Sequence, residues 1–161
     1  MLKGYLLCEG YSGYDAVGQG PGVILLACWA PARRHFIDAI KIQPKGKPGR
    51  DDEIVTLIAQ RYRVEKEHRT SSAEERNNPR QAISQPILDN TRAWLYRHIP
   101  IAVPKSVLGE AMAYMDGCGS RLVRDTGRGD LPIDNNETER AIRPFAIGRR
   151  AWLFCDTPAG A

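Results

Sequence analysis

The four cysteines, Cys8, Cys28, Cys118 and Cys155, never fall in C-x-x-C spacing. Neither a zinc site nor a dithiol redox motif is therefore expected. Cys8 and Cys28 sit in apolar, strand-like runs and read as buried free thiols. No apolar run approaches the roughly 20 residues of a membrane span. The N-terminus carries no secretory leader pattern, so a cytoplasmic protein with no membrane partner is expected. Internal repeats are absent, and the nearest thing to low complexity is "QPKGKPGR" (43–50). Net charge is small, +4 over 161 residues, with a pI of about 9.0. That is a weak pointer to a polyanionic partner. A 42% hydrophobic content at this length suits one domain with a real core.

The charge is unevenly spread. Residues 30–50 hold six Lys or Arg against one Asp, and residues 51–79 hold five against seven Asp or Glu. Residues 120–150 hold seven Arg against five acids. Two basic segments thus flank an acidic middle. Ordinary solvated faces explain this as well as a binding role does.

Two continuous apolar runs, Tyr5 to Cys8 and Gly22 to Ala30, read as strands, the second buried on both faces. "ARRHFIDAIK" follows as a helix. Strand, loop, strand, helix is α/β grammar. After the basic loop the pattern changes to long helices over about 51–118. Ile54, Leu57, Ile58 and Tyr62 recur with helical spacing. Asn78 and Pro79 suit a second helix start, with Ile83, Ile87, Trp94 and Leu95 on its apolar side. A third helix from about Lys105 carries Leu108, Ala111, Met112 and Met115 on one face.

The densest polar motif is "PIDNNETERAIRP" (132–144). Asp134 and Glu137 fit a capping box at a helix N-terminus, and Pro144 is expected to stop that helix. The cap leaves Glu139 unexplained. On a helix, Asn136, Glu139, Arg140 and Arg143 share one face. A carboxylate beside an amide and two guanidiniums suits a site for a metal and its bound phosphates. A solvent-exposed Glu139–Arg143 pair is the plainer alternative. Two-metal phosphoryl transfer needs several carboxylates around ions about 4 Å apart, so acids must also come from strand ends. Glu9, directly after Leu6–Leu7–Cys8, has such a position.

"GYLLCEGYSGYD", "CWAPARRHF", "PIDNNETERAIRPFAIGRRAWLF" and the closing "AGA" resemble, in the same order, the catalytic region of bacterial transposases of the insertion sequence 66 family. The resemblance covers nearly the whole chain, and the third motif is the most specific. It implies a DDE-type transposase with an α/β, ribonuclease-H-like core, in which the helical block read at 51–118 would stand as an insertion. It also implies cutting and joining of DNA with Mg²⁺ held by two Asp and a Glu.

Carried onto this chain, the helix Glu falls on Glu139, with Glu137 as fallback. The second Asp falls on position 9, where Glu9 stands. The first Asp has no counterpart. Where the family usually has His this chain has Pro31, a swap expected to disturb the start of the helix carrying Arg33 and Arg34. The resemblance further implies a single partial catalytic domain over 1–161, lacking the first three strands and a C-terminal helical tail, and inactive alone. Glu9 and Glu139 would be the catalytic metal ligands. Arg33, Arg34, Arg140, Arg143, Arg149 and Arg150 would contact DNA. The alternative is a non-catalytic remnant that binds DNA or intact transposase.

Overall fold

The computed structural model describes residues 3–10, 12–42 and 50–152, and the side chains of all of these except 50, 51 and 150–152. Most of the basic loop and the closing "AGA" lie outside the described residues. The architecture is mixed α/β and mostly helical.

Two parallel strands start the chain, β1 (Gly4–Cys8) and β2 (Val23–Ala27), in register from Gly4 opposite Val23 to Cys8 opposite Ala27. Parallel pairing requires a crossover. Here it is a 3-10 turn (Ser12–Tyr14) and a four-residue helix α1 (Asp15–Gly18). Leu25, Leu26 and Ala27 are buried, but Ile24 remains 41% exposed. The second strand is therefore not buried on both faces as its continuous apolar run suggests, because the Ile24 face of this two-stranded sheet is only partly covered.

The apolar run ends as strand at Ala27, and α2 (Trp29–Lys41) begins two residues on, with extended Cys28 as N-cap. Pro31 sits in the first turn, where a missing N–H leaves no intrahelical bond unmade. The helix start is consequently intact. α2 buries Trp29, Ala32, Phe36 and Ala39, and the Trp29 indole N–H donates to the Leu122 carbonyl at 2.9 Å.

Helices α3 (Arg50–Glu67), α4 (Ala73–Pro79), α5 (Gln85–His98) and α6 (Val107–Leu122) follow. α4 opens on a full capping box. Ser72 Oγ accepts from the Glu75 N–H at 3.2 Å, and Glu75 accepts from the Ser72 N–H at 2.8 Å. The helix thus starts at Ser72, and Asn78–Pro79 lies at its end. A π-helical segment, Arg80–Ser84, joins α4 to α5. It lies between Pro79 and Pro86, each of which removes a backbone donor from the helical ladder. Ile87, Trp94 and Leu95 are buried as their spacing predicts, whereas Ile83 is exposed.

One apolar cluster spans both parts of the chain: Ala27, Phe36, Ile58, Trp94, Met112 and Ile133 all belong to it. Phe36 meets Trp94 edge to face at 5.9 Å. The helices of the middle segment therefore share a core with the strands.

A buried ionic cluster fixes the loop that leads to the last helix. Arg61 and Arg80 are fully buried, and Asp125 nearly so. Arg80 grips both Glu65 carboxylate oxygens, at 3.0 and 2.6 Å, and donates to the carbonyls of Asp125 and Leu131 at 2.7 and 2.8 Å. Arg61 pairs with Glu65 and Asp125. Burial pushes Glu65 up, but Arg80 and Arg61 outweigh it and hold that carboxyl below its usual range. Burial dominates at Asp125 and pushes it up to about 6.

The final helix, α7 (Asn136–Trp152), runs through Pro144 instead of stopping there. Proline forfeits one bond of the ladder and crowds the carbonyl four residues back, at about 3 kcal/mol. The flanking residues 141–147 are all exposed. Among the described residues no helix is long and apolar enough to cross a membrane.

Candidate functional site

Glu9 leaves the C-terminal end of β1, the end where ligands gather in parallel sheets. Two contacts with α6 fix its backbone. Tyr114 donates its hydroxyl hydrogen to the Glu9 carbonyl at 2.8 Å. Gly10, with φ +78°, packs so closely that a Cβ there would stand 3.1 Å from the Tyr114 ring and the Cys118 sulfur. Only glycine combines that dihedral with that approach. At the neighbouring strand end, the Cys28 N–H donates to the Cys8 carbonyl at 2.9 Å.

The approach to α7 is tied to the same place. The Trp29 N–H donates to the Ile133 carbonyl at 3.1 Å. Asp134 accepts from the Asn136 N–H at 3.1 Å and from the Asn136 amide at 2.6 Å. It also hydrogen-bonds the Tyr62 hydroxyl, whose pKa burial and the Asp134 charge push up. Asp134 thus helps start the helix, but no return bond from Glu137 is among those the described residues make. The capping box read from sequence is half correct. The helix begins two residues after Asp134, one residue too late for Glu137 to reach back to its backbone.

Asn135 holds both acids. Its side-chain oxygen accepts from the Cys28 thiol at 3.0 Å, and its amide donates to Glu9 Oε1 at 3.2 Å. Its backbone carbonyl accepts from the Glu139 N–H at 2.9 Å. Glu139, one turn into α7, then comes near Glu9: the two carboxyl groups lie close enough to shift each other's titration in opposite directions. Two neighbouring carboxyls resist ionising together. The Glu139 carboxyl, and then the Asn135 amide, hold Glu9 below its usual range. The same proximity pushes Glu139 above its own. Arg34 lies near enough to attract both charges.

The structure therefore brings together Glu9, Glu139 and Arg34, three of the residues singled out in the sequence. Arg33 lies instead over the Tyr62 ring, 5.3 Å from its centroid. Arg140, Arg143 and Arg149 are exposed along α7. The side chain of Arg150 lies outside the described residues. Glu137 is exposed and takes no part in the pair. Asn135, Cys28 and Tyr114 were missed. The doubled asparagine between Asp134 and Glu137 was the available signal for the first of them.

The donor set is chemically suited to a hard divalent cation: oxygen ligands whose mutual repulsion a positive ion relieves. It is small. Among the described residues no three His, Cys, Asp or Glu side chains gather as a metal site.

A family model described as "Transposase IS66 family" matches residues 1–161. Among curated relatives, the uncharacterized protein y4jD of Sinorhizobium fredii is 31% identical over 165 residues, covering 99% of this chain and 32% of that one. The uncharacterized protein y4hP of the same organism is 29% identical over 171 residues, covering 98% and 31%. A third, y4qI, is 29% identical over 166 residues, covering 99% and 30%. The chain thus spans about a third of the length of the curated relatives it matches. No solved structure matches it. With the strand-end acid, the asparagine-flanked helix start and the helix glutamate all inside the matched span, the chain belongs to the IS66 family of transposases.

Proposed function

We propose that this chain supplies part of the catalytic region of a DNA transposase, in which Glu9 and Glu139 hold Mg²⁺ for cleavage and transfer of DNA strands. The observation that carries this reading is that Glu9 and Glu139, far apart in sequence, meet at Asn135, whose amide donates to Glu9 at 3.2 Å and whose carbonyl accepts from the Glu139 N–H at 2.9 Å, with the two carboxyls close enough to shift each other's titration. Like charges are not brought together without a cation or a proton to share. Bound Mg²⁺ would polarise the phosphate and activate the attacking oxygen. Arg34, beside the pair, is the first candidate for a phosphate contact, with Arg140 and Arg143 further along the Glu139 face. Arg33, Arg149 and Arg150 are secondary candidates. The parallel strand pair with its following helix supports a ribonuclease-H-like core, into which residues 51–118 would be inserted. Two carboxylates are too few for two-metal chemistry, so further ligands must come from outside the described residues.

The test is Mn²⁺ binding, read by loss of the free-ion electron paramagnetic resonance signal. Glu139→Gln, which keeps shape and removes charge, should abolish binding, and Glu137→Gln should leave it unchanged. The reverse pattern would move the site to Glu137. Unchanged binding in both would overturn the metal reading. A second reading, a module that binds DNA or intact transposase without catalysis, is favoured by the exposed arginines of α7. Its mark would be DNA affinity indifferent to divalent metal.

A further inference from the structure

We infer that Asn135 is the positioning residue of the carboxylate pair, presenting the Glu9 carboxylate to the cation, and that the Cys28 thiol sets which end of the Asn135 amide faces Glu9. The inference rests on the metal reading above.

An asparagine side chain has a donor end and an acceptor end of nearly the same shape. Facing a carboxylate, the donor end attracts and the acceptor end repels. Something must choose between them. Cys28 is fully buried at the α2 N-cap, and its S–H is a donor that approaches the Asn135 oxygen at 3.0 Å. The opposite amide orientation would set two donors face to face there and leave an oxygen against Glu9. Burial keeps the thiol protonated by pushing its pKa up, so the donor persists.

The arrangement also sets a strand-end acid beside the first turn of a distant helix. The side chain of Asn135 holds Glu9 at 3.2 Å, and its carbonyl holds the Glu139 N–H at 2.9 Å. Glu9 is otherwise exposed at a strand end, where an unheld glutamate samples several rotamers. Partners that orient metal ligands typically change metal affinity by about 10–100-fold when removed.

The experiment measures Mn²⁺ affinity of the full chain by electron paramagnetic resonance, with thermal unfolding of each variant as the check on folding. Asn135→Ala should bind Mn²⁺ about tenfold more weakly. Cys28→Ala should weaken binding several-fold, and Cys28→Ser, which restores a donor, should return it close to wild type. The Cys28→Ala, Asn135→Ala double variant should be no weaker than Asn135→Ala alone, because the thiol acts through the amide. If Asn135→Ala does not fold, the contrast between Cys28→Ala and Cys28→Ser carries the test. A merely structural role for Cys28 predicts no such rescue, so equal affinities for those two variants would overturn the inference. Wild-type affinity in a folded Asn135→Ala would do the same while Glu139→Gln still loses binding, leaving the metal reading intact. Absence of Mn²⁺ binding in the wild type, or its retention in Glu139→Gln, would overturn both.

Discussion

The Tyr114 hydroxyl lies 2.8 Å from the carbonyl oxygen of Glu9, a hydrogen bond spanning 105 residues of sequence. A residue in the middle of α6 thereby holds the backbone of the acid that closes β1. Tyr114→Phe removes that bond and keeps the ring that packs against His35 at 4.7 Å. The expected cost is about 0.5–1 kcal/mol, typical for a hydrogen bond whose freed acceptor reaches water. Urea unfolding should show a lower midpoint with an unchanged slope. An unchanged midpoint would mean that Glu9 is held by its other contacts alone.

The isolated chain is expected to show no nicking or strand transfer above background with Mg²⁺ or Mn²⁺. Two carboxylates do not place both ions against the attacking and leaving oxygens. Glu9→Asp alone should not change that outcome, since it shortens a ligand without adding one. Cleavage of a labelled duplex by the wild-type chain would show that the described carboxylates suffice.

DNA binding should be weak, indifferent to sequence and steeply salt-dependent, because each neutralised phosphate releases counterion. Replacing the exposed Arg143 and Arg149 with Ala should reduce the slope of log affinity against log salt by roughly two units, at about 0.9 per contact. Fluorescence anisotropy across a salt series measures this. An unchanged slope would take α7 off the DNA face.

The buried carboxyl of Asp125 predicts a pH dependence of stability. Its pKa rises from the ordinary 3.8 in the unfolded chain to about 6 when folded, so the folded state binds the extra proton. Its contribution is therefore most favourable below about pH 4 and declines as pH rises toward 6. Glu65 titrates in both proteins and cancels to first order when wild type is compared with Asp125→Asn. Stability of the wild type relative to that variant should fall by on the order of 2–3 kcal/mol between pH 4 and pH 7. Urea midpoints across that range measure it. A constant difference would mean that Arg61 fully compensates the burial.

Much of the frame was legible in the sequence. Both strands, α2, α3 and α6 follow from apolar runs and helical spacing, and Asp134 does mark the start of α7. The failures have local causes. Asn78–Pro79 is a strong start signal, but Ser72 and Glu75 upstream form the complete reciprocal cap. Pro144 is a strong stop signal, yet a single lost backbone bond does not end a helix whose flanks remain solvated. Arg61 and Arg80 look like surface charges, because the partners that allow their burial, Asp125 and the Leu131 carbonyl, lie 45 to 64 residues away. The site was half legible. Glu9 and Glu139 could be named from their positions in strand and helix motifs, but no spacing rule makes an amide between them the common tether.

The pairing of Glu9 with Glu139 also sets a timetable on the ribosome. At roughly 5–20 residues per second, on the order of ten seconds separates the synthesis of these two residues. During that interval β1 and β2 can pair and α2 can form, since all three precede Ile42. The Glu9 carboxylate meanwhile has neither Asn135 nor Glu139 beside it. The acidic centre therefore comes into being only when α7 emerges, and a nascent chain stalled before that point would carry the strands and α2 to α6 with no centre at all.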